Sequence, residues 1–160
     1  MTIRDLTIAD AGWFLPLNNA AVPHVNALSD DDLDAMLAEA DLAWAVLSEG
    51  EPAGGFIAFR PGTTYDSANY LWFARHYEDF LYIDRVIVDP AKRGSGIGQT
   101  IYRGVIEIAR ERNVMLCCEV NEKPPNPGSL RFHEKFGFVE AGRQDTEGGK
   151  KSVVLLTLIT

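Results

Sequence analysis

Basic residues and cysteine are scarce in this chain of 160 residues. Lysine and arginine total 15 against 23 aspartate and glutamate residues, which gives a formal net charge of -8 at pH 7. A protein of this sign repels the phosphate backbone, so the composition argues against a general nucleic-acid binder. No apolar run approaches the roughly 20 residues that span a bilayer, so we expect no membrane partner either.

The two cysteines, Cys117 and Cys118, are adjacent. Neighbours on a strand point to opposite faces, which argues against a disulfide between them and against a shared metal ion. We interpret both as reduced packing residues and expect no metal. The first five residues, Met-Thr-Ile-Arg-Asp, lack the basic-then-apolar layout of a secretory signal, so the sequence predicts a cytoplasmic protein.

Length and composition fit one globular domain over residues 1–160. Hydrophobic residues make up 46% of the chain and charged residues 24%, which is typical of globular proteins and not of disordered or fibrous ones. A chain of this length buries about 70% of the surface that its unfolded form exposes, so one core is enough.

Apolar periodicity predicts an ordered series of strands and helices without an internal repeat. The predicted strands are 2–8, 42–48, 53–60, 80–88, 115–120, 138–143 and 153–159. The predicted helices are 9–20, 29–40, 99–112 and 129–136. The stretch 61–77 has no clean period and is rich in aromatic residues, so we interpret it as a binding loop.

A glycine-rich segment, Arg-Gly-Ser-Gly-Ile-Gly at 93–98, lies between the strand 80–88 and the helix 99–112. Glycines leave backbone N–H groups unshielded, and the helix start adds the positive end of its dipole, so the segment predicts a cradle for a diphosphate. A basic collar of Lys92, Arg93 and Arg103 offsets the negative net charge locally.

Two common phosphate loops do not fit this segment. A Walker loop requires Gly-x-x-x-x-Gly-Lys-Ser/Thr, which is absent. The dinucleotide motif requires glycine or alanine at its sixth place, which counted from Gly94 is Gln99.

The remaining pattern, Arg93-x-x-Gly96-x-Gly98 after a strand, resembles the GNAT family of N-acetyltransferases. A second motif at 126–138, Asn-Pro-Gly-Ser-Leu-Arg-Phe-His-Glu-Lys-Phe-Gly-Phe, is similar to that family's closing motif, an asparagine before a helix that ends in Gly-Phe. The resemblance implies an α/β (α+β) fold with a mixed, mostly antiparallel sheet of about seven strands and about four helices. It implies transfer of an acetyl group from acetyl-CoA to a primary amine by direct attack.

The resemblance also assigns the residues that bind coenzyme A. The backbone amides of 94–99 would hold the pyrophosphate, the main chain of 86–88 the pantetheine arm, and Asn126 would add a contact at the start of the last helix. Asn126 and Ser129 are also residue types that cap helices. The cofactor-binding residues expected on this basis are Val86, Ile87, Val88, Arg93, Gly94, Ser95, Gly96, Ile97, Gly98, Gln99, Asn126, Ser129 and His133.

Three residues are candidates for proton transfer. His133 occupies the position where the family usually has tyrosine, which donates to the leaving sulfur; its alternatives are a cofactor contact or a plain polar residue on a short helix. Asp84 is the first candidate for the base, since it shares a face with Tyr82 and Val86 if the strand has no bulge. Glu119 is the second. Asp84 pairing with Arg85, or Glu119 organising a turn, would leave either without a catalytic role.

The acceptor is a small-molecule amine or a peptide amine that the sequence does not name. His24 and the residues Tyr65, Tyr70, Trp72, Phe73, Arg75, His76 and Tyr77 either wall its pocket or belong to the core. A non-catalytic acyl-CoA binding or sensing module is the alternative function. Family members commonly pair through sheet edges or helices, so the resemblance keeps a homodimer among the partners to be considered.

Overall fold

The computed structural model describes all 160 residues, as five α-helices around a seven-stranded sheet. The strands are β1 (Thr2–Asp5), β2 (Leu42–Ser48), β3 (Glu51–Phe59), β4 (Leu81–Val88), β5 (Leu116–Lys123), β6 (Val139–Thr146) and β7 (Lys151–Leu158). The helices are α1 (Ala11–Ala20), α2 (Asp30–Glu39), α3 (Ala68–His76), α4 (Ile97–Arg112) and α5 (Pro127–Phe136). No helix combines the length and the apolarity needed to cross a bilayer.

The strands lie in the order β1-β2-β3-β4-β5-β7-β6, and every neighbouring pair is antiparallel except β4–β5. The mixed, mostly antiparallel sheet of about seven strands that we expected is confirmed. The helices number five instead of about four, because α3 occupies the stretch that we interpreted as a loop.

The predicted loop at 61–77 is wrong over its second half, where α3 lies. Ser67 starts this helix, because its side chain accepts a hydrogen bond from the Tyr70 N–H at 3.4 Å. Tyr70 and Phe73, one turn apart, are the two residues that the helix buries fully. Two buried positions are too few for the helical spacing of apolar residues to be recognised in the sequence.

Helices α4 and α5 each begin two residues before the predicted starts. Gly96 precedes α4 with a φ of 81°, a left-handed conformation that glycine adopts without strain. Asn126 caps α5, since its side chain accepts a hydrogen bond from the Ser129 N–H at 3.4 Å. Ser129 therefore lies inside the first turn of α5, and the cap is supplied by Asn126.

Two apolar cores cover the two faces of the sheet. Helices α4 and α5 pack on one face, where Ile101 is fully buried, and α1, α2 and α3 pack on the other, where Phe14 is fully buried. Cys118 belongs to the first core and Cys117 to the second, and both thiols are free. The adjacent cysteines thus point to opposite faces, as the strand alternation predicts.

The sheet opens between β4 and β5. Leu81 pairs with Leu116 and Tyr82 with Cys117, and no later residue of β4 pairs with β5. Both strands run in the same direction, so their carboxyl ends diverge on one side of the sheet. The divergence leaves a wedge in the middle of the sheet, beyond Tyr82.

A bulge in β4 changes which way its side chains face. Asp84, between Ile83 and Arg85, has no partner residue on β3. Tyr82 packs in the core under α1, α2 and α3, whereas Val86 packs against the core under α4 and α5. The expectation that Asp84 shares a face with both Tyr82 and Val86 is therefore wrong, because one extra residue reverses the alternation.

Strands β3 and β4 approach each other closely at Gly54. A Cβ atom there would lie 2.5 Å from the Ile87 carbonyl oxygen and 3.3 Å from Ile97 Cγ2. We expect Gly54→Ala to lower the free energy of unfolding by about 2 kcal/mol, as at other overpacked sites. Chemical denaturation measures this change.

Gly12→Ala is the matched control, because a Cβ at Gly12 in α1 meets nothing within 4 Å. We expect it to leave the stability unchanged or to raise it by about 0.5 kcal/mol, since alanine is the better helix former. Equal stabilities for the two variants would contradict the steric argument.

Candidate active site

A cleft of about 520 Å³ occupies the wedge between β4 and β5. Its walls come from both strands, the first turns of α4 and α5, and the segment between α1 and α2. Three residues singled out from the sequence for proton transfer, Asp84, Glu119 and His133, all line it. The fold therefore brings together groups that are up to 49 positions apart in the chain.

The glycine segment forms the turn into α4 at one end of this cleft. Gly94 and Gly96 have φ values of 85° and 81°, and none of the six N–H groups from Gly94 to Gln99 donates to an acceptor in the protein. They stand at the start of a 16-residue helix. Free donors and a helix dipole at one place form an anion cradle, which fits the pyrophosphate of coenzyme A.

Of the basic collar Lys92, Arg93 and Arg103, one residue already has partners within the protein. Lys92 Nζ lies 3.3 Å from the Pro52 carbonyl oxygen and 3.8 Å from a carboxylate oxygen of Glu51. Arg93 and Arg103 are exposed and make no ion pair. The two arginines are thus the cations that a phosphate at the turn can approach.

The main chain of β4 presents alternate residues to the cleft. Asp89 N–H donates to the Ala53 carbonyl at 2.8 Å, toward β3. Because bonding direction alternates along an antiparallel pair, Ile87 also faces β3, while Val86 and Val88 direct their N–H groups toward the open side. Val86 and Val88 line the cleft and Ile87 does not. An extended ligand segment would therefore find free main-chain donors at Val86 and Val88.

Glu119 lies on β5 with its carboxylate in the cleft. Tyr82 donates its hydroxyl hydrogen to one carboxylate oxygen, and Asn69 lines the same cleft. Burial is the main cause that raises the pKa of Glu119 to about 7, and the hydrogen bonds oppose the rise. A carboxyl with this pKa exchanges its proton near neutral pH.

Asp84, the other carboxylate, is held by two partners. Its Oδ2 accepts a hydrogen bond from Arg85 Nε at 2.6 Å, and its Oδ1 accepts one from the Tyr65 hydroxyl. Asp84 and Arg85 side chains are 4% and 5% exposed, so this ion pair is buried. Both carboxylate oxygens of Asp84 are therefore already engaged.

His133 is buried on α5 and touches Tyr102 of α4. Its Nδ1 lies 2.7 Å from the Ser129 carbonyl oxygen, so Nδ1 carries the hydrogen and Nε2 accepts from the Tyr102 hydroxyl at 2.5 Å. Burial lowers the pKa of His133 and raises that of Tyr102. Both side chains line the cleft. The ring of His133 thus reaches the cleft as one half of a hydrogen-bonded pair.

The proposed acceptor residues divide between cleft and core. Tyr65 lines the cleft, stacked on Phe59 with ring centroids 4.2 Å apart. His24 also lines it and is exposed. The remaining aromatic and cationic residues of 70–77 do not line the cleft, and Tyr70 and Phe73 are buried in the core.

Sequence reasoning missed four residues that complete the site: Asn69, Tyr82, Arg85 as an ordered cation, and Tyr102. Tyr102 had a usable signal, because it lies four residues after Gly98 and therefore on the same face of α4. Tyr82 reaches Glu119 across 37 positions, and no local pattern encodes that contact.

The comparisons with known proteins agree with this geometry. Residues 11–138 match the model of the Acetyltransferase (GNAT) family. The L-methionine sulfoximine/L-methionine sulfone acetyltransferase of Salmonella typhimurium is 28% identical over 161 residues, which cover 94% of this chain and 86% of the relative.

Two solved structures show the same fold. Ard1 from Thermoplasma volcanium superposes with a TM-score of 0.79 at 17% identity, covering 99% of this chain and 97% of that one. The yncA structure from Salmonella typhimurium, determined with acetyl-CoA, gives 0.72 at 19% identity, covering 99% and 93%. The family model spans most of the chain and the fold is the same, so this chain belongs to the GNAT acetyltransferase family and is an acetyl-CoA-dependent N-acetyltransferase.

Proposed function

We propose that this enzyme acetylates the primary amine of a small molecule by direct attack on acetyl-CoA, with Glu119 as the base and the Tyr102–His133 pair as the proton source. One observation carries the proposal: a carboxyl with a pKa of about 7 and a buried tyrosine–histidine pair line the same cleft, with the anion cradle at its end. The acceptors in the Salmonella relative's name are small amines, which supports a small-molecule acceptor.

The chain holds acetyl-CoA mainly through its backbone. The free N–H groups of 94–99 bind the pyrophosphate, and Arg93 adds charge at the turn. Val86 and Val88 bind the pantetheine arm as an added strand edge, and the Val86 N–H donates to the acetyl oxygen. Asn126 and Ser129 border the arm at the start of α5.

Glu119 accepts the proton that the attacking ammonium must lose. Its pKa of about 7 leaves it ionised in most molecules above neutral pH, yet basic enough to take a proton. Asp84 remains the alternative base, but its two oxygens are bonded to Arg85 and Tyr65. We therefore assign Asp84 to holding Arg85.

The Tyr102–His133 pair supplies a proton to the departing thiolate. When His133 is protonated, Nε2–H donates to the Tyr102 oxygen, and the Tyr102 hydroxyl is then free to give its hydrogen to sulfur. The sulfur gains one proton and the imidazolium becomes imidazole, so the transfer balances. Both rings are packed in place, with Tyr102 stacked on Phe136 at 5.6 Å between centroids.

A covalent route through cysteine does not fit this site. Cys117 and Cys118 are buried, and burial raises the pKa of both thiols well above the ordinary value. The nucleophile in such a route is the thiolate, which these surroundings disfavour. Direct attack by the amine is the remaining path.

The proposed function is tested by release of the CoA thiol from acetyl-CoA across a panel of primary amines. We expect release that depends on the amine, and an increase of about 10-fold in KM for acetyl-CoA in Gly94→Ala, because a side chain at φ 85° distorts the cradle. Saturable acetyl-CoA binding without release by any amine would favour a sensing module instead.

Gly50→Ala is the control for backbone strain. Gly50 has a φ of 77°, and a Cβ atom at either glycine meets nothing within 4 Å, so the two variants carry similar strain. Gly50 lies in the turn between β2 and β3, outside the cleft. An equal rise in KM in both variants would contradict the role of the 94–99 amides.

The base is tested by the pH dependence of kcat/KM. In the wild type we expect kcat/KM to rise with pH as Glu119 ionises and then to fall as His133 loses its proton, because the reaction needs the ionised carboxylate and the protonated imidazole together. Glu119→Gln removes this rise and lowers kcat/KM by about 100-fold. The measurement is repeated with two acceptors whose amines have different pKa values. A rise caused by Glu119 stays at the same pH for both acceptors, whereas a rise caused by the substrate amine moves with the acceptor. A rise that persists in Glu119→Gln but disappears in Asp84→Asn would identify Asp84 as the base.

The proton source is tested with Tyr102→Phe, which keeps the ring and removes only the hydroxyl. We expect kcat to fall by about 100-fold while the Kd for CoA changes much less. His133→Ala should likewise lower turnover more than CoA affinity. Tyr70→Phe also removes a buried hydroxyl, bonded to the Arg60 carbonyl at 2.8 Å outside the cleft, and should keep kcat. Unchanged kcat in the Tyr102 and His133 variants would remove the pair from the mechanism.

A further inference from the structure

A buried arginine lies where two cavities of the acceptor side meet. Arg85 lines the cleft between β4 and β5, and it also lines a second cavity of about 660 Å³ between α2 and the segment 64–67. Tyr65 and Ser67 border both cavities as well, so the two spaces are neighbours. The catalytic proposal gives Arg85 no part in proton transfer.

The protein fixes Arg85 on two of its three nitrogens. Nε donates to Asp84 Oδ2 at 2.6 Å, and Nη1 donates to Asn18 Oδ1 at 2.8 Å and to the Asn26 carbonyl at 3.2 Å. Asn18 is itself fully buried. The orientation of the guanidinium is therefore set before any ligand arrives, which lowers the entropic cost of binding.

The third nitrogen, Nη2, makes no hydrogen bond in the protein. Arg60 Nε is the one side-chain nitrogen or oxygen that is fully buried and has no hydrogen-bond partner. Arg85 Nη2 has no partner but is not among the fully buried atoms, so solvent reaches it. Arg85 borders both cavities, so a ligand in either can approach its free N–H donors. A fixed guanidinium with free donors is suited to a carboxylate.

Other cations on the cleft wall are less suited to an anion. Lys151 lies 3.6 Å from a carboxylate oxygen of Glu147, and His24 is exposed at the rim. The cleft also contains the carboxylates of Asp84 and Glu119, which favour an ammonium. The wall thus offers one site for a negative group and a separate one for a positive group.

The second cavity adds room for a side chain. Its apolar wall consists of Ala27, Leu28, Ala35, Met36, Ala38 and Phe59. The carboxylates that border it are partly engaged, because Glu39 accepts hydrogen bonds from Thr64 and Asp32 from the Ser29 N–H. A group of moderate size and low polarity fits such a space.

We propose that the acceptor is a free amino acid, whose carboxylate binds Arg85, whose amino group faces Glu119 and whose side chain enters the second cavity. This inference rests on the proposed function. A peptide lysine, which has no adjacent carboxylate, leaves the free donors of Arg85 unpaired. A phosphorylated amine carries more negative charge than a carboxylate, so Asp84 and Glu119 repel it more strongly.

The test compares acceptors that differ only in the carboxylate. Leucine, leucine methyl ester and 3-methylbutylamine are assayed by release of the CoA thiol from acetyl-CoA with the wild-type enzyme, and methionine with its methyl ester forms a second pair. We expect kcat/KM to be about 100-fold higher for the free amino acids, which corresponds to a charge-assisted hydrogen bond. The ester amine is less basic and more readily deprotonated, so chemistry alone favours the ester.

Arg85→Met provides the matching variant. We expect it to lower kcat/KM for the amino acids to the level of their esters while the ester values change little. Arg4→Met is the control, because Arg4 pairs with the buried carboxylate of Asp10 outside both cavities, and it should keep the preference for the free acid. If Arg85→Met does not fold, the wild-type comparison still decides.

Each other outcome overturns a defined part of the argument. Equal kcat/KM for acids and esters in the wild type refutes the role of Arg85 and leaves amine acetylation intact. An equal loss for both in Arg85→Met shows a structural role alone and also refutes it. No thiol release with any amine refutes the proposed function and this inference together.

Discussion

The short pairing of β4 with β5 is the constraint on which the site depends. Two residue pairs hold these parallel strands together, and beyond Tyr82 they diverge. Main-chain donors of β4 that a complete sheet would use are left for a ligand, and the cleft between the strands exposes Glu119 and Asp84. The bulge at Asp84 then directs Arg85 toward α1, where Asn18 holds it.

The two ends of the cleft are built from different materials. The cofactor end uses backbone amides, which suit a ligand of constant structure and demand little of the side chains beyond the glycines of 94–98. The reacting end, where the thioester and the acceptor meet, uses buried side chains, each held by a hydrogen bond: Glu119 by Tyr82, Asp84 by Arg85, and His133 by Tyr102. Enzymes of this family can therefore keep the first end and vary the second.

The sequence was informative where local chemistry sets the structure. The glycine turn, the amphipathic α4 and the Asn126–Phe138 stretch were all recognisable, because glycine conformation, helix period and capping are properties of neighbouring residues. The helix α3 was missed, since its buried face consists of two residues. Glu119, His133 and Asp84 each form a hydrogen bond with a tyrosine hydroxyl that lies far away in the sequence and is brought close only by the fold. The raised pKa of Glu119 follows from its burial, which residue spacing in the sequence does not reveal.

The buried carboxyl of Glu119 also couples folding to acidity. Its pKa is about 7 in the folded chain against 4.5 for an unperturbed group, so the folded state binds a proton more tightly than the unfolded state. Folding stability from this group is fully present below about pH 4.5 and declines as pH rises through 7, by on the order of 3 kcal/mol in total. Alkaline conditions therefore ionise this carboxyl and weaken the fold at the same time.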